Sequence, residues 1–291
     1  MGEDLRKRIL GQWDGARDGW QAKLPLKVDE KAVEIDASAV RFAVPTFLLR
    51  LRAFAEWHLE KGHSVRIKCP TSGRVAEYMA RSEIAKGLPE GIFVGLPDLP
   101  VARESDVLIP IRKLREPADV DLLGEKLVPL FESHSDDVAV FANTMHMATS
   151  ELCGNAVEHG INPLGCYVAA QRYNRPFRRT VLALGDLGIG IPEHMRQRFE
   201  DLAGDRSALR EAVKHGVTGT DEQHRGNGFH WVMDAAEQSL MRYATLDIRS
   251  GKGQLQQVLQ ADEEGLETTT NPAPFKIGTW VTFEVGPLTT V

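Results

Sequence analysis

Residues 150–160 read Ser-Glu-Leu-Cys-Gly-Asn-Ala-Val-Glu-His-Gly, and their setting decides the fold. Upstream of them, from Asp136 on, apolar residues recur at Phe141, Met145, Ala148, Leu152 and Ala156. Spacings of three and four mark one buried face of an α-helix, and Gly160 stands where such a helix stops. Glu151 and Asn155 lie four residues apart, about 40° from each other around the axis, so they share a second face. A carboxylate there can serve as a general base, and a neutral amide oxygen suits a hard cation such as Mg²⁺. Glu158 and His159 read as flanking surface.

On the C-terminal side, residues 165–174 and 180–186 read as strands. The second runs into Asp186-Leu-Gly188-Ile-Gly190-Ile-Pro192. Gly188 and Gly190 permit close backbone approach. A dinucleotide fingerprint does not fit, because the third glycine is missing and Pro192 interrupts the helix entry. A carboxylate at a strand end can instead accept a hydrogen bond from the 6-amino group of adenine, whereas guanine would bring a carbonyl against it. Helical pieces follow to about residue 213, then a Gly-rich polar stretch to 228. Arg225-Gly226-Asn227-Gly228-Phe229 opens another helix, where bare amides and the helix dipole favour an anion. No GxxxxGK[ST] phosphate loop occurs. Strands near 242–249 and 278–285 close the block, with Gly278-Thr279 entering the last; Thr279 could support Asp186 through a shared water. Residues 262–274 read as a polar, mobile loop.

On the N-terminal side, residues 106–114 read as a strand and 117–134 as a helix with Pro117 in its first turn. The polar, proline-containing stretch 97–105 marks a boundary, so that a second domain spans 104–291. A first domain, 26–103, alternates strand and helix. Val33, Ile35 and Ala37 mark a strand. A helix follows Pro45, with a stripe of Phe47, Leu48, Leu51, Phe54 and Leu59. A strand ends at Pro70, a helix at Gly87, and a short strand follows. That is an α/β order. Residues 1–25 form a charged, Trp-containing lead-in.

The chain has 291 residues, and two domains are the natural count for that length. It carries 42% apolar and 26% charged residues with a net charge of -6, ordinary values for a globular protein. Mild acidity argues against a dedicated nucleic-acid binder. No apolar run is long enough to span a membrane, and the N-terminus lacks the apolar core of a signal peptide. Cys69, Cys153 and Cys166 form no CxxC pair, which fits reduced thiols in a cytoplasmic protein.

Taken in order, the four motifs resemble those of the Bergerat-fold ATPases, the superfamily of gyrase, Hsp90, histidine kinases and MutL. Ser150–Gly160 is most similar to the anti-sigma-factor serine kinase branch, whose pattern is Ser/Thr-Glu-x-x-x-Asn-Ala-x-x-His-Gly. Asp186–Ile191 matches its Asp-x-Gly-x-Gly-Ile, and Gly226–Phe229 its Gly-x-Gly-Phe. The resemblance covers about residues 105–290. It implies an α/β sandwich, a mixed sheet covered by helices, that binds ATP with Mg²⁺. Glu151 would be the general base and Asn155 the metal ligand. Asp186 would read adenine, backed by Gly188 and Gly190. Gly226 and Gly228 would cradle phosphates, with Arg225 and Asn227 between and beside them, and Thr279 would support the adenine end. Residues 193–225 would form a lid, with Lys214, His224 and Arg225 as further candidate phosphate contacts.

The first block resembles the STAS domains, the phosphoacceptor antagonists of these kinases, over Ile35–Leu51 and the elements that follow. The acceptor Asp-Ser of that family is replaced by Val44-Pro45, and Thr46 is the nearest hydroxyl. The resemblance implies a serine/threonine protein kinase acting on a STAS-domain partner or a sigma-factor-like regulator, with a homodimer allowed. The alternatives are a nucleotide-gated interaction module, in which ATP orders the lid, and a slow ATPase. The sensor end of a histidine kinase fits poorly, since no helical hairpin with a phosphorylatable histidine precedes the block.

Overall fold

The computed structural model describes residues 26–28, 31–99, 106–132, 138–160, 162–174, 179–214, 228–239, 243–260 and 265–286. The lead-in 1–25 and residues 100–105, where a boundary is expected, lie outside them.

The fold is α/β, built on two sheets. The smaller has the order β1 (Leu26–Val28), β2 (Ala32–Asp36), β3 (Ser64–Lys68), β4 (Phe93–Val94). β1 runs antiparallel to β2, and the other pairs are parallel. α1 (Pro45–Glu60) crosses from β2 to β3 and α2 (Gly73–Arg81) from β3 to β4. The larger sheet has the order β5 (Val107–Leu114), β6 (Cys166–Tyr173), β7 (Arg179–Asp186), β9 (Glu267–Gly286), β8 (Tyr243–Gln260). Its described pairs are all antiparallel, so the mixed pairing of this fold sits in the smaller sheet.

Side chains alternate across the larger sheet, and each face has its own core. Val168, Leu182, Leu184, Val281 and Phe283 point to one face. They pack under α3 (Pro117–Glu132), α4 (Val138–His159), α6 (Asp205–Ala212) and α7 (Gly228–Gln238). Met145, Ala148 and Leu152 of α4 are buried there and Ala156 is partly buried, as the spacing predicts. The side chain of Phe141 lies outside the described set.

Tyr167, Ala169, Ala183 and Trp280 point to the other face and join the core of the smaller sheet. α1 lies between the two sheets, which explains its burial on every side. Arg50, Arg52, Glu56 and His58 are buried along with the apolar stripe. Thr46 Oγ1 lies 2.7 Å from Thr282 Oγ1 on β9. The Arg50 guanidinium lies 5.3 Å from the Trp280 ring centroid, and Gly185 leaves the space that the indole fills.

Three expectations are corrected. α2 ends at Arg81 rather than running to Gly87. Glu83 takes a positive φ of 55°, and the chain turns so that Ile84 is buried and the carbonyls of Ile84 and Lys86 accept from Arg52. Residues 267–274 are not a loop but belong to β9. β8 and β9 are 18 and 20 residues long and form a hairpin extending well past 249 and 278. Thr-rich sequence pairs well there, and Leu255 is fully buried under α6. Among the described residues no helix is long and apolar enough to cross a membrane. All three cysteines are free and buried.

Candidate functional site

The C-terminal half of α4, the end of β7 and the start of α7 enclose one cleft of about 730 Å³ of open space.

Its floor is built by close backbone approach. Gly188 packs so tightly on the end of α4 that an added Cβ would lie 1.6 Å from the Gly160 carbonyl oxygen. The Ile189 N–H donates to that same oxygen at 3.2 Å. On the opposite side Gly278, with φ +70°, sits against the Asp186 carbonyl, 2.1 Å from where a Cβ would stand. Two glycines therefore let α4 and β9 close on Asp186 from both sides.

Asp186 is 2% exposed. Burial pushes its carboxyl up to about 7, against the backbone N–H groups of Gly188 and Thr279, which pull it down. The Gly188 N–H donates to Oδ1 at 2.7 Å. Thr279 reaches Asp186 directly through its backbone N–H. The Thr279 hydroxyl instead lies 3.2 Å from Ser250 Oγ, which donates to the Gly278 carbonyl at 2.7 Å and accepts from the Ile191 N–H at 3.0 Å. Ser250 thus ties the turn Gly188–Ile191 to β9. Gly190 lines the cleft beside it.

Asn155 and Gly228 line the other end of the cleft, and Glu151 lies beside them. A Cβ on Gly228 would lie 2.5 Å from Asn155 Nδ2 and 3.1 Å from Glu151 Oε2, so α7 begins against both side chains. Partial burial, together with the charge of Glu158, raises the Glu151 carboxyl above its ordinary value. Among the described residues no three His, Cys, Asp or Glu side chains are grouped to hold a metal. One amide oxygen beside a carboxylate nevertheless suits Mg²⁺, which keeps its waters and takes only one or two protein ligands alongside phosphate. α7 has 11 residues, and its first two, Gly228 and Phe229, line the cleft.

Five candidates therefore line one cleft, Asn155, Asp186, Gly190, Gly228 and Thr279, while Gly188 packs against Asp186 and Glu151 lies beside Gly228. Arg225, Gly226, Asn227 and His224 lie outside the described residues. Lys214 is exposed and its ammonium lies 2.6 Å from Glu211. The region expected as a lid begins with α5 (Ile191–Arg196) and α6. Both are fastened to the hairpin. Asp205 bonds Arg196 and accepts from the Lys252 N–H at 2.6 Å.

His159 is the main omission of the sequence reading. It is not plain surface but lines the cleft, its ring 4.7 Å from that of His194 on α5 and tilted 30° to it. Its position four residues after Asn155 was the available signal, since Glu151, Asn155 and His159 fall on one stripe of α4. Nothing comparable marks His194 or Ser250. Burial and the neighbouring His159 hold the His194 imidazole below its ordinary value.

No family model matches the chain, and no curated protein matches it. Among solved structures it is similar to the B-subunit of DNA gyrase from Myxococcus xanthus, at 10% identity and a TM-score of 0.29. That alignment covers 58% of this chain and 43% of the gyrase subunit. It is also similar to the ATP-binding domain of topoisomerase IV from Francisella tularensis, at 14% identity and a TM-score of 0.21, over 37% of this chain and 27% of that one. The chain spans less than half of either, and neither likeness is close enough to add to what the cleft itself says.

Proposed function

We propose that the chain is an ATP-binding regulatory protein, a serine/threonine protein kinase of the anti-sigma-factor type that acts on a STAS-domain partner in the cytoplasm. The carrying observation is that Asp186, buried at one end of the cleft, faces the same space as Asn155 and Gly228 at the other, with the Glu151 carboxylate beside Gly228. The 6-amino group of adenine donates to the Asp186 carboxylate. The Asn155 amide oxygen holds Mg²⁺, and the first amides of α7 face the phosphates. Bound Mg-ATP supplies the phosphoryl group. Glu151 accepts the proton of the attacking hydroxyl, and its raised affinity for protons suits that role. Positioning and charge neutralisation supply the rest of the rate.

Glu151→Gln tests this with γ-labelled Mg-ATP. Nucleotide binding should persist while transfer to a STAS-domain partner, or release of phosphate, stops. Transfer at the wild-type rate would refute the role of Glu151. Unchanged nucleotide affinity in Asp186→Asn would refute the site itself.

The second reading is a nucleotide-gated interaction module, with the N-terminal block as a docking element. Thr46, the nearest hydroxyl to the missing acceptor, is 6% exposed and engaged with Thr282, which favours a non-acceptor role for that block. Protection of residues 193–225 from protease by a non-hydrolysable ATP analogue would support this reading. Identical digestion with and without nucleotide would count against it.

A further inference from the structure

A second cleft, sharing no lining residue with the first, opens where α1 and the loop after α2 meet the end of β5 and the start of α3. It encloses about 1020 Å³ of open space. Its polar groups can be accounted for one by one. Glu56 is spent: Oε1 accepts from Arg52 Nε at 2.5 Å, and Oε2 accepts from Lys113 Nζ and from the Tyr167 hydroxyl at 2.9 Å. Burial raises this carboxyl, but Lys113 and Arg52 outweigh it and keep Glu56 ionised. Asp119 is also engaged, because its Oδ2 caps α3 by accepting from the N–H groups of Arg115 at 2.7 Å and Glu116 at 3.2 Å.

The donors are not all used. Arg52 Nη1 donates to the carbonyls of Ile84 and Lys86, both at 2.7 Å, but Nη2 has no partner among the described residues. Lys113 has one acceptor for three N–H donors. The Arg115 guanidinium is exposed and has no hydrogen-bond partner among the described residues. Three cationic groups thus line one cleft with donors to spare, beside two carboxylates, Glu56 and Asp119, that are already engaged. Leu59 and Leu88 supply an apolar wall, and Glu60 stands exposed among the lining residues. A carboxylate offers several acceptor sites to such donors, and a guanidinium binds it in a two-pronged fashion.

We propose that this cleft binds a small organic carboxylate with a short apolar body. The acid sits among Arg52, Lys113 and Arg115, and the carbon chain lies against Leu59 and Leu88. The proposal is independent of the nucleotide reading and stands or falls without it.

The test is titration calorimetry on the full chain with isocaproate, its neutral amide isocaproamide, and leucine. Isocaproate should bind saturably and the amide should not. Arg115→Gln should weaken isocaproate binding about tenfold or more, with Arg115→Lys retaining part of it. Arg115 makes no side-chain hydrogen bond with described residues, so the urea midpoint of both variants should match wild type. Leucine binding more tightly than isocaproate, with the gain lost in Glu60→Gln, would identify an amino acid as the ligand type; equal or weaker binding would identify a plain acid. No saturable binding of any carboxylate at about 10 mM by folded wild type would overturn the proposal. So would isocaproate affinity unchanged in Arg115→Gln, or amide binding as tight as acid binding.

Discussion

Replacing Asp186 by Asn isolates the cost of its burial. The side chain keeps its shape, and the amide oxygen can still accept from the Gly188 N–H at 2.7 Å. The ordinary carboxyl value is 3.8, and burial lifts this one to about 7. Between those two values the folded chain holds a proton that the unfolded chain has released. The folded state therefore binds more protons, and its stability falls as pH rises from about 4 to about 7, then levels off. At about 1.4 kcal/mol for each pH unit, the loss traceable to this group approaches about 4 kcal/mol. Asn does not titrate. At pH 5 the folded acid is still neutral but the unfolded one has ionised, so the variant should already have gained about 1.5 kcal/mol on the wild type relative to their difference below pH 4. At pH 8 the wild type carries a buried charge and the variant should be the more stable, by up to about 4 kcal/mol. Urea unfolding of both proteins at intervals from pH 5 to pH 8 measures the difference, and all other titrating groups cancel in it. A difference that stays constant over that range would show that Asp186 is not held in the environment described. ATP adds a second readout. Its 6-amino donor favours the ionised carboxylate, so wild-type affinity should weaken below pH 7 and recover above it.

Gly188→Ala should abolish nucleotide binding and cost about 1–3 kcal/mol in urea unfolding, since its Cβ would overlap the Gly160 carbonyl oxygen at 1.6 Å. Wild-type affinity in that variant would contradict the tight floor. Glu56→Ala leaves Arg52 and Lys113 buried without their shared anion, and should lower stability by about 3–5 kcal/mol. Glu56→Gln should lose less, and equal losses would mean that charge is not what matters there. A double-mutant cycle on Thr46→Val and Thr282→Val should give a coupling of about 1 kcal/mol for the hydroxyl pair across the α1–β9 interface. A coupling of zero would mean that α1 does not rest on the sheet in solution.

The parts of this structure that were legible in sequence are those that follow from local chemistry. Met145, Ala148 and Leu152 announce the buried face of α4 by spacing alone. Gly188 stands where backbone must approach backbone and Gly228 where backbone meets the Asn155 and Glu151 side chains, which fall together because a helix brings i and i+4 together. What was not legible depends on long-range packing. The apolar stripe of α1 suggested one buried face and gave no warning that a second sheet would cover Arg50, Arg52 and Glu56. Their charges look like surface until Lys113 and Tyr167, from strands far along the chain, come to meet Glu56. Residues 267–274 read as loop because Asn271, Pro272 and Pro274 outweigh the strand signal of the threonines by themselves. Only pairing with β8 decides otherwise. His194 belongs to the cleft because α5 happens to pack beside the end of α4, and no spacing within the sequence encodes that.

The position of α1 also bears on how a phosphoryl group could be passed on. In this chain the back of the larger sheet is occupied by its own N-terminal block, with Thr46, Arg50 and Trp280 buried at the contact. The cleft with Glu151 opens on the helical side of that sheet, since its lining comes from α4, α5 and α7 together with β7 and β9. A hydroxyl on Thr46 and the carboxylate of Glu151 thus belong to opposite faces, with a layer of strands between them. Transfer within one molecule would require α1 to leave a buried interface held by the Arg50–Trp280 contact, the hydroxyl pair and the Glu56 network. That is far costlier than for a second protein to present its hydroxyl at the open cleft. If the chain is a kinase, its acceptor comes in trans. The N-terminal block then contributes a fixed surface and not a substrate.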